Sequence, residues 1–156
     1  MGQFTGIAAA TGLAGLLYIG RLFYMDKAID IMARTAYGEA RGEGPQGMQA
    51  VCHVIMNRAN LNGWMGGTVV GVALKPQQFS AWNKDDPNRA IIEAVDDSDP
   101  VFAQALQIAA AVYGGEVEDI TNGATHYHAS WVNPYWADSN KIVAQVGDHT
   151  FYEGIA

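Results

Sequence analysis

The chain has 156 residues, which fits a single domain, and its 49% hydrophobic and 16% charged residues exclude general disorder. The formal net charge of -7 argues against a partner held mainly through phosphates, so no nucleic acid is expected, and it opposes diffuse attraction to anionic polymers. A binding groove would therefore have to act through hydrogen bonds and stacking.

The first 25 residues form an apolar N-terminal segment, distinct from a domain over residues 26–156. The run from Phe4 to Gly20 has no charged side chain, and its 17 residues lie at the lower limit for crossing a bilayer. Its glycines weaken both the helix and the hydrophobicity. Three interpretations stay open: a membrane or signal-anchor helix, a helix that packs on a partner, and a cleaved signal peptide.

Helical periodicity and helix-capping residues predict five helices along the middle of the chain. They are a helix over 26–40 opened by Asp26, one from Pro45 through Ala59, a short one capped by Thr68 that ends at Leu74, and two that follow Asp86-Pro87 and Asp99-Pro100, over 87–95 and 100–113. An irregular stretch from Gln77 to Trp82 separates the third helix from the fourth. The only cysteine, Cys52, lies on the apolar face of the second helix, so we expect a buried thiol, with a catalytic thiol as the alternative.

After Asp119 the pattern changes to short runs with strand character, at 124–129, 141–146 and 150–152. These runs predict a small antiparallel β-sheet near the C-terminus. The predicted fold class is therefore α+β and mainly helical.

Glu39 is the first candidate for acid chemistry. It lies one position from the end of the first helix, at the rim of the apolar stripe, and a half-sheltered carboxyl group there suits a general acid. An ordinary surface glutamate would fit the same position, so periodicity does not separate the two interpretations.

Several ordered blocks of sequence do separate them. They are ARTAYGEARGEG at 33–44, GMQAV at 47–51, VIMNR at 54–58, QFS at 78–80, GATHYHA at 123–129, PYWA at 134–137 and GDHTFY at 147–152. Together they resemble the SleB-type cell-wall hydrolases, over about residues 31–152. The resemblance implies a lysozyme-like domain that needs no cofactor and cleaves peptidoglycan glycan strands between N-acetylmuramic acid and N-acetylglucosamine.

The resemblance also implies residue roles. Glu39 matches the family's catalytic glutamate, which would act by lytic transglycosylation, with muramidase hydrolysis as the alternative outcome. The expected substrate-binding residues are Tyr37, Arg41, Glu43, Gln78, Phe79, Ser80, His126, Tyr127, His128, Trp136 and His149. Glu43 could instead be a turn or capping carboxylate, and Arg41 an ion-pair partner. Trp82, Trp131 and Trp136 are candidates for stacking on sugars or for packing.

His126, Tyr127 and His128 alternate on a predicted strand, so the two histidines should share one face and Tyr127 should point to the other. With His149 and Asp148, the two histidines suggest a zinc-dependent amidase or peptidase as an alternative function. The resemblance itself implies no metal. His53, on the polar side of the second helix, is expected to be solvated.

The short chain and the apolar N-terminal run resemble a bacteriophage lysis or entry enzyme. Such an enzyme would act in the periplasm or cell wall, either anchored through its N-terminus or carried in a phage particle. Residues 4–20 would then contact the inner membrane or a virion protein. A non-catalytic wall-binding virion protein is the remaining alternative.

Overall fold

The computed structural model describes residues 13–155, which fold into five α-helices followed by a three-stranded sheet. The helices are α1 (Leu13–Ala40), α2 (Gly44–Leu61), α3 (Val69–Ala73), α4 (Asn88–Ala94) and α5 (Pro100–Gly114), and the strands are β1 (His126–Ala129), β2 (Ile142–Val146) and β3 (His149–Tyr152). This arrangement confirms the predicted mainly helical α+β fold with a small antiparallel sheet near the C-terminus.

The start of α1 differs from the prediction. The prediction that this helix begins at Asp26 is wrong, because α1 runs without a break from Leu13 through Asp26 to Ala40. Residues 13–25 contain no proline, so nothing stops a helix that is already anchored by its packed C-terminal half from extending through them. Leu16, Leu17 and Phe23 lie on this extension with 67–70% of their surface exposed.

The predicted membrane segment is only partly described. Residues 4–12 lie outside the described part of the chain, and residues 13–20 belong to α1. Within residues 13–155, no helix combines the length and the apolar character needed to cross a membrane.

The core lies where α1, α2 and α5 meet. Each helix contributes side chains at helical spacing that are almost completely buried: Met32 and Ala36 from α1, Met48, Val51 and Ile55 from α2, and Phe102, Ala105 and Ala109 from α5. Cys52 is fully buried among them, as predicted. Asp99 caps α5 by accepting hydrogen bonds from the amides of Val101 and Phe102, also as predicted.

The sheet has β3 in the centre, antiparallel to β1 and β2. Tyr127 is paired with Phe151 in the register, and Ala129 with His149. Because paired residues point to the same side of a sheet, Tyr127, Phe151 and His149 share one face, while His126 and His128 lie on the other. Phe151 is only 1% exposed, so the Tyr127 face is the one that packs on the helices.

A loop before β1 fixes the sheet to α2. The side-chain amide of Asn57 donates hydrogen bonds to Asp119 Oδ2 at 2.9 Å and to the carbonyl of Ala124 at 3.0 Å. The same loop brings Asp119 within 3.8 Å of His53, which is only 6% exposed. The prediction that His53 is solvated is therefore wrong, because the contacts of this loop with α2 enclose the polar side of the helix as well.

Candidate active site

Both carboxylate oxygens of Glu39, in the last turn of α1, accept hydrogen bonds from distant segments. Oε1 accepts from the amide of Ala81 at 2.8 Å and from Ser80 Oγ at 3.2 Å. Oε2 accepts from the Tyr127 hydroxyl at 3.0 Å. The site therefore joins the end of α1, the turn at Ser80–Trp82 (the 80–82 turn) and the strand β1.

The 80–82 turn is held against α1 by close packing and by one polar contact. Gly38 permits the approach, because a Cβ at this position would lie 2.6 Å from Ala81 Cβ and 2.9 Å from Ile92 Cγ2. The indole N–H of Trp82 donates to Thr35 Oγ1 at 2.9 Å, one turn earlier in α1. Trp82, a candidate for sugar stacking, thus anchors the turn that contacts Glu39.

Tyr127 is placed to act as a hydrogen-bond donor to Glu39. Burial, together with the negative charge and the hydrogen bond of Glu39, raises the pKa of this phenol well above its ordinary value. Its ring stacks on Phe151 with centroids 5.5 Å apart and meets the edge of His149 at 5.3 Å. The hydroxyl therefore stays protonated and its position is fixed.

A cleft of about 330 Å³ opens beside Tyr127, and we call it the Tyr127 cleft. Three further residues predicted to bind substrate line it: Gln78, His126 and Trp136. Trp136 packs against both histidines of β1, with ring centroids 5.3 Å from His126 and 5.8 Å from His128. Partial burial and the nearby positive charge of Arg58 lower the pKa of His126 to about 4, so its ring is neutral near pH 7.

Other predicted residues contact the protein itself. The Tyr37 hydroxyl lies 3.3 Å from Asp99 Oδ2, and Arg41 donates to Asn88 Oδ1 at 2.7 Å. Phe79 is 1% exposed and belongs to the core. These three side chains position α1, α4 and the loop before the 80–82 turn, and they do not line the Tyr127 cleft.

Glu43 also has a partner within the protein. Its Oε2 accepts a hydrogen bond from the amide of Asp148 at 2.9 Å, in the turn between β2 and β3. Gly147 in this turn has φ +55°, and a Cβ there would lie against the same carboxylate. The carboxylate of Glu43 therefore ties the segment after α1 to the β2–β3 turn.

The histidines do not form the proposed zinc site. His128 has both ring nitrogens engaged, one 2.7 Å from the Tyr152 hydroxyl and the other 2.9 Å from the Ala129 carbonyl. His149 lies on the opposite face of the sheet, against Tyr127. In the part of the chain that is described, no three His, Cys, Asp or Glu side chains converge as a metal site would require. The described residues thus do not bring His126, His128 and His149 together as one set of ligands.

Comparison with known proteins assigns the family. Residues 42–152 match the sequence profile of the family described as Cell Wall Hydrolase. The chain belongs to the cell wall hydrolase family. The matched range starts just after Glu39 and includes the 80–82 turn and all three strands.

A curated relative agrees with this assignment. The chain is 30% identical over 136 residues to the spore cortex-lytic enzyme of Oceanobacillus iheyensis, an alignment that covers 82% of this chain and 42% of that enzyme. The chain therefore spans about two fifths of the length of this curated relative.

Two solved structures share its fold. The catalytic domain of the Bacillus cereus SleB protein matches with a TM-score of 0.60 and 25% identity, covering 81% of this chain and 89% of that chain. The catalytic domain of the germination-specific lytic transglycosylase SleB from Bacillus anthracis matches with a TM-score of 0.62 and 26% identity, covering 81% and 93%. The resemblance to SleB-type hydrolases and the lysozyme-like fold are thereby confirmed.

Arg58 and Trp64 are among the residues of the Tyr127 cleft that were not predicted from the sequence. Arg58 is 7% exposed, donates to the Thr125 carbonyl at 2.7 Å and to Gln78 Oε1 at 3.0 Å, and lies 4.9 Å from the Phe79 ring centre. It thereby joins the 80–82 side of the cleft to β1. The sequence contained one indication of the buried position of Arg58, because this charged residue lies on the apolar stripe of α2, three positions after Ile55. Trp64, 66% exposed at the cleft, had no signal in the sequence pattern.

Proposed function

We propose that this cell wall hydrolase cleaves the glycan backbone of bacterial peptidoglycan between N-acetylmuramic acid and N-acetylglucosamine, as a lytic transglycosylase with Glu39 as acid and then base. The observation that carries the proposal is the Glu39 carboxyl group, held by three donors beside a cleft that is lined by Trp64 and Trp136. The similarity to the lytic transglycosylase SleB of Bacillus anthracis supports the same reaction class.

In the first step, protonated Glu39 gives its proton to the glycosidic oxygen. The bond between this oxygen and C1 of the muramic residue breaks, the 4-hydroxyl of N-acetylglucosamine leaves, and positive charge develops at C1. Glu39 becomes a carboxylate in this step. The Ala81 amide and the hydroxyls of Ser80 and Tyr127 then stabilise that carboxylate and keep it under the reacting bond.

In the second step, the 6-hydroxyl of the same muramic residue attacks C1. The Glu39 carboxylate removes the hydroxyl proton, so a 1,6-anhydro ring forms and the acid is restored without consuming water. One carboxyl group is sufficient for both steps. The placement of Glu43 supports a mechanism with one carboxyl group, because its side chain accepts a hydrogen bond from the Asp148 amide in the β2–β3 turn.

Mass analysis of muropeptides tests the proposal. Purified sacculi would be digested with the wild-type protein, with Glu39→Gln, and with Glu116→Gln, which removes an exposed carboxylate after α5 and serves as the matched control. We expect products that end in anhydro-muramic acid from the wild type and the control, and none from Glu39→Gln. Reducing muramic ends would indicate hydrolysis instead, and equal activity of Glu39→Gln would contradict the proposal.

We further propose that the enzyme serves phage lysis or entry, with residues 26–156 as the catalytic domain and residues 1–25 as a segment that contacts the inner membrane or a virion protein. The exposed apolar side chains of Leu16, Leu17 and Phe23 support such a contact. Fractionation of infected cells and of purified particles distinguishes the two roles. Recovery in the membrane fraction is expected for lysis, and recovery in particles for entry. Recovery in neither would contradict the phage role.

A further inference from the structure

A second cleft, of about 470 Å³, lies beside the 80–82 turn, and we call it the basic cleft. The first two residues of the turn hold Glu39, while its third residue, Trp82, lines this cleft. Lys75 and Pro76 line both the basic cleft and the Tyr127 cleft, so the two openings adjoin. A ligand extending from the glycan at Glu39 could therefore reach the basic cleft.

The charged side chains that line the basic cleft are all positive, although the whole chain has a formal net charge of -7. Lys75, Lys84 and Arg89 line the basic cleft, three of the nine Lys and Arg residues in a chain with 16 Asp and Glu. Among the described residues that line either cleft there is no Asp or Glu. The basic cleft therefore combines local positive charge with an apolar wall formed by Trp82, Ile31 and Leu74.

The three cations differ in how far they are already engaged. Lys75 contacts the carbonyl and ring of Trp64, and Arg89 is paired with Glu93 at 2.9 Å and donates to the Trp82 carbonyl at 2.9 Å. Lys84 is exposed and makes no hydrogen bond or ion pair with any residue in the described range 13–155. Lys84 is thus the cation with free donors.

From this placement we infer that the basic cleft binds a free carboxylate of the peptidoglycan stem peptide, with Lys84 as the main contact and Arg89 as support. The stem peptide is attached to muramic acid, one of the two sugars joined at the cleaved bond, and it carries free carboxylates beside small apolar side chains. These groups match the charge and the apolar wall of the cleft. The inference rests on the proposed function and extends its substrate from bare glycan to peptide-bearing glycan.

The test compares two substrates prepared from the same sacculi: soluble glycan chains that carry stem peptides, and chains from which an amidase has removed them. The ratio of their kcat/KM values is measured for wild type, Lys84→Gln and Arg21→Gln. We expect the wild type to prefer peptide-bearing chains, and Lys84→Gln to lower that preference about two- to fivefold, as expected for one exposed ion pair. Arg21→Gln removes a positive charge from the exposed part of α1 and should keep the wild-type ratio.

Equal kcat/KM on both substrates, or an unchanged ratio in Lys84→Gln, would overturn the inference while leaving glycan cleavage intact. If the wild type cleaves neither substrate, the proposed function fails, and the cleft is then tested by titrating a free stem pentapeptide and following Trp82 by NMR. A shift of Trp82 that is weaker in Lys84→Gln would support the inference. The absence of a wild-type shift would overturn it.

Discussion

The hydroxyl of Tyr127 donates a 3.0 Å hydrogen bond to Oε2 of Glu39, linking two residues that are 88 positions apart in the chain. This contact joins the first strand of the sheet to the last turn of α1. The sheet therefore contributes directly to the position of the proposed acid.

Replacing Tyr127 with Phe should lower kcat about tenfold or more, since a hydrogen bond to a charged group is worth about 1.5–3 kcal/mol. The ring packing on Phe151 and His149 would remain, so KM should change little. Turnover of labelled sacculi measures kcat, with Tyr24→Phe on the exposed part of α1 as the control. A Tyr127→Phe variant with wild-type kcat would show that this donor does not position Glu39.

Gly38→Ala should reduce both stability and activity, because the added methyl group would overlap Ala81 and Ile92. Overpacking of this kind costs about 1–3 kcal/mol and would move the 80–82 turn away from Glu39. Gly42→Ala is the matched control, since no atom lies within 4 Å of a Cβ at that position. Urea unfolding and sacculus turnover would be measured for both variants, and equal behaviour of the two would refute the packing argument.

Glu43→Ala should destabilise the fold by about 1 kcal/mol, the usual net value of one hydrogen bond, through loss of the contact with the Asp148 amide. Glu43→Gln keeps an oxygen acceptor and should be nearly as stable as wild type. Thermal unfolding of the two variants tests the difference. If Glu43→Gln keeps its stability but loses turnover, Glu43 has a direct role in binding or catalysis instead.

Acid should destabilise the protein through His126. Its pKa is about 4 in the folded state and about 6.5 when unfolded, so between these values the unfolded chain binds the additional proton. The free energy of unfolding should therefore fall as the pH drops from about 6.5 towards about 4. Burial of His53 lowers its pKa as well and acts in the same direction. Urea unfolding between about pH 7 and pH 4.5 should show a smaller decrease for His126→Gln, whereas identical slopes would contradict this origin.

Cys52 should be inert in the folded protein. It is fully buried, and burial raises the pKa of its thiol well above the ordinary value, so little reactive thiolate is present. Iodoacetamide should leave turnover unchanged and should modify Cys52 only after unfolding, as measured by intact mass. Rapid modification of Cys52 with loss of activity would instead support a catalytic role for this thiol.

Local rules predicted most of the secondary structure. The Asp99-Pro100 pair predicted the start of α5, and the spacing of Met48, Val51 and Ile55 predicted the buried face of α2. The start of α1 could not be predicted in the same way, because Asp26 is a good capping residue that is here enclosed in a longer helix. Whether an N-capping residue begins a helix depends on the residues on both sides of it.

The site was predictable only in part. Sequence blocks singled out Glu39, Ser80 and Tyr127, which the structure brings together. The same blocks also contained Tyr37 and Phe79, whose side chains pack inside the protein. A motif shows that residues belong to a family pattern, but it does not show which of them face the cleft.

The sequence by itself determined the helix and strand content, the buried faces and the identity of the candidate acid, because periodicity, capping and motif spacing are local properties of the chain. Only the tertiary structure decided which groups surround Glu39 and that Arg58 joins the loop at Gln78 to Thr125, the residue before β1. These relationships depend on contacts between residues far apart in the chain. Tertiary packing determines such contacts, so they cannot be predicted from the composition and spacing of one segment.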